Sequence, residues 1–115
     1  MNEQHLHFDN LVESVQISPD SIVSRTLRAD ENAKMIVFGF DAGQELSEHT
    51  ASVLAIIHIL SGQAEISLGE EKHEASAGSW SWMPAKLPHS SVAKTPVVLL
   101  LTMFTGAKSQ SQPSD

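Results

Sequence analysis

Short apolar stretches alternate with turn residues along most of the chain. The stretches are rich in β-branched and aromatic residues and end at Gly, Pro, Asp or Ser, as strands joined by tight turns do. Few segments show the apolar period of a helix. The pattern predicts strands in LVESVQI (residues 11–17), SIVSRTLRA (21–29), KMIVFGFDAG (34–43), VLAIIHIL (53–60), AEISL (64–68), KHEAS (72–76), SWSWM (79–83) and VVLLLTMF (97–104).

Regularly spaced short strands predict an all-β fold, either a sandwich or a barrel. We expect the barrel to occupy residues 11–105, after an N-terminal segment or edge strand at residues 1–10. Residues 106–115 are small and polar and are expected to form a disordered tail. The stretch GQELSE (43–48) is turn-like, so Glu45 and Glu48 are expected to be solvated, although a loop folded over the barrel would make either an acid or base.

The overall charge excludes several classes of partner. The chain has 115 residues and a formal net charge of −7, and its seven basic residues are scattered. Nucleic acid and an anionic membrane surface are therefore not expected as partners. There is no cysteine, no visible secretory signal and no apolar run long enough to cross a bilayer, so we expect a soluble cytoplasmic protein.

The glycines, prolines and histidines in the middle of the chain have a characteristic spacing. The first group reads G-x5-H-x-A-x3-A-x6-G and the second reads G-x5-P-x-K-x2-H. This spacing resembles the two motifs of the cupin superfamily, G-x5-H-x-H-x3or4-E-x6-G and G-x5-P-x-G-x2-H-x3-N. The resemblance implies a small single-domain cupin β-barrel, also described as a jelly roll or double-stranded β-helix. The residues that carry it are Gly43, His49, Ala51, Ala55, Gly62, Gly78, Pro84, Lys86, His89 and Ala93.

The resemblance also names candidate metal ligands. In metal-binding cupins, three histidines and one glutamate hold the ion inside the barrel. His49 and His89 occupy two of those positions, whereas Ala51 and Ala55 stand where a histidine and the glutamate would be. We therefore expect His49 and His89 to converge inside the barrel. The alternatives are that they bind no metal or that they weakly bind a divalent ion of Zn, Ni, Fe or Mn.

Three classes of function remain open. The first is a module that binds a small molecule or an anion in its barrel, with a degenerate metal site. The second is a metal-dependent enzyme, an oxygenase or isomerase, that uses His49 and His89. The third is a structural or regulatory dimer with no ligand.

Strand alternation assigns faces to the remaining aromatic residues. If Ala55 faces the interior, His58 points outward with Ile56 and Leu60 and is more suited to a subunit contact than to a metal. We expect a homodimer, because a small domain gains from burying such a face against a second copy. Trp80 and Trp82 share one face and are expected in the core or at an interface, and His73 is expected to be solvated.

Overall fold

Two antiparallel sheets form the structure, a computed structural model that describes residues 5–106. The first sheet has the order β1-β2-β9-β4-β7 and the second has the order β3-β8-β5-β6. The all-β prediction is confirmed. The strands are β1 (Ile22–Ala29), β2 (Lys34–Phe40), β3 (Glu45–His49), β4 (Ala55–Ser61), β5 (Gln63–Leu68), β6 (Glu71–Ser76), β7 (Trp80–Met83), β8 (His89–Ala93) and β9 (Val97–Met103).

The inner faces of the two sheets form one apolar core. In β4, Ala55, Ile57 and Ile59 are buried, and the residues between them are partly exposed. This alternation confirms that His58 lies on the outer face, with Ile56 and Leu60. From the second sheet, Ala64, Ile66 and Ala93 are among the residues that complete the core.

The N-terminal part of the chain is not a strand, contrary to the prediction for residues 11–17. Leu11–Ser14 form a short 3-10 helix, because the Asn10 side chain accepts a hydrogen bond from Val12 N at 3.2 Å and caps it. The apolar residues that follow pack on the outer face of the first sheet. A Cβ atom on Gly39 would lie 3.0 Å from Ile17 Cγ1 and 3.3 Å from Val15 Cγ1.

Residues 5–10 contain no strand, so the N-terminal edge strand is not found in the described part of that segment. Residues 1–4 and 107–115 lie outside the described residues, and with them nearly all of the predicted tail. Within residues 5–106, no helix reaches the length and hydropathy of a membrane span.

Two strands were missed by the sequence analysis. β3 lies in the stretch predicted to be a turn, and β8 has the largely polar sequence HSSVA. β3 is an edge strand that pairs with β8 alone within its sheet, and four of its five residues are exposed, so it has little apolar patterning to reveal it. Glu45 and Glu48 are exposed as expected, although on a strand.

Gly62 and Gly43 both adopt left-handed backbone conformations, with φ of +88° and +85°. Their surroundings differ. A Cβ atom on Gly62 would overlap the Pro96 carbonyl oxygen and lie 2.9 Å from Val97 Cα, whereas a Cβ atom on Gly43 would meet nothing within 4 Å. Gly62 is therefore required both for its conformation and for the close approach of the chain between β8 and β9.

We expect Gly62→Ala to lower the free energy of unfolding by about 3 kcal/mol or more, since it adds a backbone clash to a strained φ. Gly43→Ala is the matched control and should cost only about 1–2 kcal/mol, the strain of the left-handed conformation alone. Urea denaturation of both variants measures the difference. Equal losses in the two variants would show that the contact with Pro96 is relieved without cost.

Candidate functional site

A β-bulge in β3 turns His49 toward His89 at the open end of the space between the sheets, where His49 remains exposed. Leu46 pairs with Ser91 and His49 pairs with His89, so three steps along β3 match two steps along β8. Strict alternation would place Leu46 and His49 on opposite faces. The extra residue in the bulge places Leu46 and His49 on the same face of the sheet. Leu46 therefore packs against the core while His49 contacts His89.

The loop before β8 positions His89. Lys86 in this loop has φ of +71°, a conformation that favours glycine, and it stands where the cupin motif has glycine. Lys86 N donates a hydrogen bond to the Ala51 carbonyl oxygen at 2.7 Å. This bond ties the segment after His49 to the segment before His89.

The two imidazoles are in direct contact, which confirms that His49 and His89 converge, although His49 is exposed rather than enclosed in the barrel. Their ring centroids are 4.2 Å apart and the ring planes meet at 62°. His49 Nδ1 lies 2.7 Å from the Ser47 carbonyl oxygen, and His89 Nδ1 lies 2.9 Å from the Leu87 carbonyl oxygen. A carbonyl oxygen only accepts hydrogen bonds, so both Nδ1 atoms carry the proton. Nε2 is thus the nitrogen of each ring that remains for a ligand.

The two histidines differ in environment. His89 is 6% exposed, whereas His49 lies on the exposed side of the pair. Burial lowers the pKa of His89 below its usual range, the hydrogen bond to Leu87 opposes this, and the nearby His49 lowers the pKa further. His89 is therefore neutral at pH 7, and its Nε2 carries a lone pair that accepts a hydrogen bond or binds a metal.

A cavity of about 400 Å³ opens beside the two histidines at the mouth of the barrel. Both sheets contribute to it, and Ala51 and Ala55 line it together with His49 and His89, as the motif spacing implies. The sequence analysis did not identify Lys34, Met103 and Thr105 as part of the site, since they lie on β2, on β9 and in the chain after β9. The full lining is Lys34, His49, Thr50, Ala51, Ser52, Val53, Ala55, His89, Leu101, Met103 and Thr105.

The site provides only part of a metal-binding donor set. Within residues 5–106, no group of three or more His, Cys, Asp or Glu side chains could hold an ion together. The two imidazoles suit a transition metal, and each ring is oriented by a backbone carbonyl, as in many metal centres. A metal held by His49 and His89 therefore needs further ligands from water, from a bound molecule or from another type of side chain.

The other residues considered in the sequence lie away from this cavity. The interpretation of the tryptophans as core residues is wrong, because Trp80 is 59% exposed and Trp82 is 52% exposed. They pair with His58 and Ile56 across β7 and β4, on the outer face. His73 is exposed as predicted, with Nε2 at 3.4 Å from Glu71 Oε1.

Comparisons with known proteins agree with this architecture. The cupin domain family matches residues 36–103. A conserved protein of unknown function from Streptococcus pyogenes is 34% identical in sequence, with a TM-score of 0.79 over 90% of this chain and 91% of that one. An RmlC-like cupin from Desulfovibrio desulfuricans is 30% identical, with a TM-score of 0.78 over 88% of this chain and 98% of that one.

A cupin superfamily protein from Desulfitobacterium hafniense shares the fold at only 18% identity, with a TM-score of 0.80 over 90% of this chain and 94% of that one. No curated protein sequence matches the chain. The motif spacing, the two facing sheets and the match over residues 36–103 lead to one conclusion: the chain belongs to the cupin family.

Proposed function

We propose that this cupin binds a small organic molecule in the cavity at the mouth of its barrel. One observation carries the proposal: His49 and His89 both line a cavity of about 400 Å³, and each has its Nδ1 bonded to a backbone carbonyl. Within residues 5–106, neither Nε2 atom has a hydrogen-bond partner. Paired polar groups that lack partners in an otherwise largely apolar cavity are typical of ligand sites.

The charges around the cavity indicate which ligand it suits. The neutral His89 presents an acceptor at Nε2, so it favours a hydroxyl or N–H donor over a bare anion. Lys34 lines the same cavity and supplies an ammonium group for a carboxylate. Leu101 and Val53 provide apolar walls. A small hydroxycarboxylate, with a carboxylate at Lys34 and a hydroxyl at the histidines, satisfies both kinds of group.

The alternative is a metal-dependent enzyme of oxygenase or isomerase type that uses His49 and His89. Two oriented imidazoles support metal binding, but Ala51 and Ala55 remove two of the four ligands that metal-binding cupins use. Because two imidazoles make a weak site for a divalent ion, we favour ligand binding without turnover. Elemental analysis of untagged protein, purified without chelator, tests the enzyme alternative, which requires stoichiometric Zn, Ni, Fe or Mn.

We also propose that the protein is a homodimer that uses the outer face of the first sheet. Trp80 and Trp82 are more than half exposed there, beside Ile56 and His58. Tryptophan is enriched at the centres of protein interfaces, and an apolar patch of this kind is costly to leave in water. The N-terminal segment already covers another part of the same face, around Gly39.

Malate should bind more tightly than succinate, because the two dicarboxylates differ only in the hydroxyl group that the histidines would accept. Amide chemical shifts of ¹⁵N-labelled protein at millimolar ligand report the binding, with the largest changes expected around the cavity. His49→Ala should remove the advantage of malate, while Lys34→Gln should weaken both ligands. Equal binding of malate and succinate, or no shift with either, would contradict the proposal.

Ala51→His combined with Ala55→Glu should create a His-His-Glu-His set and tighten Ni²⁺ or Zn²⁺ binding by about 100-fold, or roughly 2.7 kcal/mol. Calorimetric titration measures the affinity, and added metal should raise the melting temperature of the double variant. Ala51→Leu with Ala55→Gln adds similar bulk without the two ligands and is the control. A folded double variant without gained affinity would show that the two alanines do not share the site of His49 and His89. Stoichiometric metal in the parent after chelator dialysis would refute the premise of a weak site.

Light scattering at micromolar concentration should give twice the 12.5 kDa mass of the chain for the parent protein. In Trp82→Glu the measured mass should fall to that of the monomer, because a buried, unpaired carboxylate is strongly unfavourable at an interface. Gln63→Glu makes the same charge change at an exposed position on the second sheet and should leave the dimer intact. A monomeric parent, or a dimer that persists in Trp82→Glu, rules out this interface.

A further inference from the structure

We propose that the Met103 thioether is a third ligand beside His49 and His89, and that the three side chains form a site selective for copper(I). The inference extends the proposed site at the barrel mouth and rests on the same histidine pair. It assigns a role to a residue for which the cupin motifs have no position.

The register of the first sheet directs Met103 toward the cavity. Met103 is the last residue of β9, and it pairs with Ala55 of β4 on one side and Lys34 of β2 on the other. It packs against the core and lines the same cavity as both histidines. Facing sheets pack about 10 Å apart, so the Met103 side chain of one sheet and the two imidazoles of the other extend into the same intervening space.

The chemistry of these donors favours a soft cation of low charge. Among the described residues, Lys34 lines the cavity and no Asp or Glu does, so the lining disfavours a divalent ion more than a monovalent one. Zn²⁺ in proteins is usually four-coordinate, and Mn²⁺ prefers carboxylate oxygens. Copper(I) carries a single charge, accepts a low coordination number and binds thioether sulfur, so two imidazoles and one methionine suffice for it.

The carbonyl oxygens of Ser47 and Leu87 also prepare the two rings for a metal. They accept hydrogen bonds from both Nδ1 atoms, so the two Nε2 lone pairs are available without a change of tautomer.

Met83 provides a matched control inside the same protein. Like Met103, it is a register partner of Ala55, but it lies on the opposite neighbouring strand, β7. It is 1% exposed and is not among the residues that line the cavity. Met→Leu changes conserve volume and usually cost under about 1.5 kcal/mol, so both variants are expected to fold.

The experiment titrates copper(I) anaerobically against the chelator bicinchoninate and records X-ray absorption of the copper-loaded parent, Met103→Leu and Met83→Leu. The parent should bind one copper(I) per chain with both nitrogen and sulfur neighbours. Met103→Leu should lose the sulfur signal and bind copper(I) about tenfold more weakly, which corresponds to a loss of roughly 1.4 kcal/mol in binding free energy. Met83→Leu should retain both properties. Zn²⁺ affinity should be the same in all three proteins.

A nitrogen-only copper spectrum in the parent, or equal affinity in the parent and Met103→Leu, overturns the role of Met103 and leaves the histidine pair intact. Absence of copper(I) binding in the folded parent overturns the whole inference. The malate titration contains no copper, so the proposed function is tested independently of either result.

Discussion

Between Leu46 and His49, β3 contains one residue more than its partner β8, and the position of His49 depends on that residue. Regular alternation from Leu46 would turn Glu48 toward the interior and His49 away from His89. A buried, unpaired carboxylate is strongly unfavourable, so the bulge also keeps the charge of Glu48 out of the interior. Ser47, inside the bulge, then accepts the hydrogen bond that orients His49.

Three hydrogen bonds organise the backbone and the rings around the histidines. One hydrogen bond links Lys86 N to the Ala51 carbonyl oxygen, and two others fix the imidazole rings. Lys86 adopts a left-handed conformation that most side chains avoid, and such strain is maintained only where surrounding contacts require it.

The small size of the chain limits its core and leaves part of the outer face of the first sheet uncovered. A chain of 115 residues has a thin core, and here the N-terminal segment adds to it by covering part of the first sheet. The two tryptophans remain on the uncovered part of the same face. The exposed tryptophans and the net charge of −7 have opposite effects on association. The net charge disfavours non-specific association, whereas the aromatic patch favours association through one face.

Much of the fold could be predicted from the sequence, because side-chain alternation and turn residues are local properties. Along β4, with the sequence AIIHILS, buried residues alternate with partly exposed ones as side-chain alternation predicts, and the face occupied by His58 follows from that alternation. The motif spacing also gave the convergence of His49 and His89, since in cupins those positions lie on neighbouring strands.

β3 and β8 could not be predicted in this way, because their strand character depends on pairing with each other and with β5 rather than on apolar composition. The apolar residues of the N-terminal segment look strand-like, yet their partner is the outer face of a distant sheet, and Asn10 turns the chain into a 3-10 helix instead. The cavity lining depends in the same way on long-range register. Lys34 and Met103 reach it because β2 and β9 pair with each other, with Met103 also paired to Ala55 of β4. The sequence by itself determined which side chains alternate and which residues turn, whereas the tertiary structure decided which of them meet, because strands far apart in the chain are brought together only by the folded sheets.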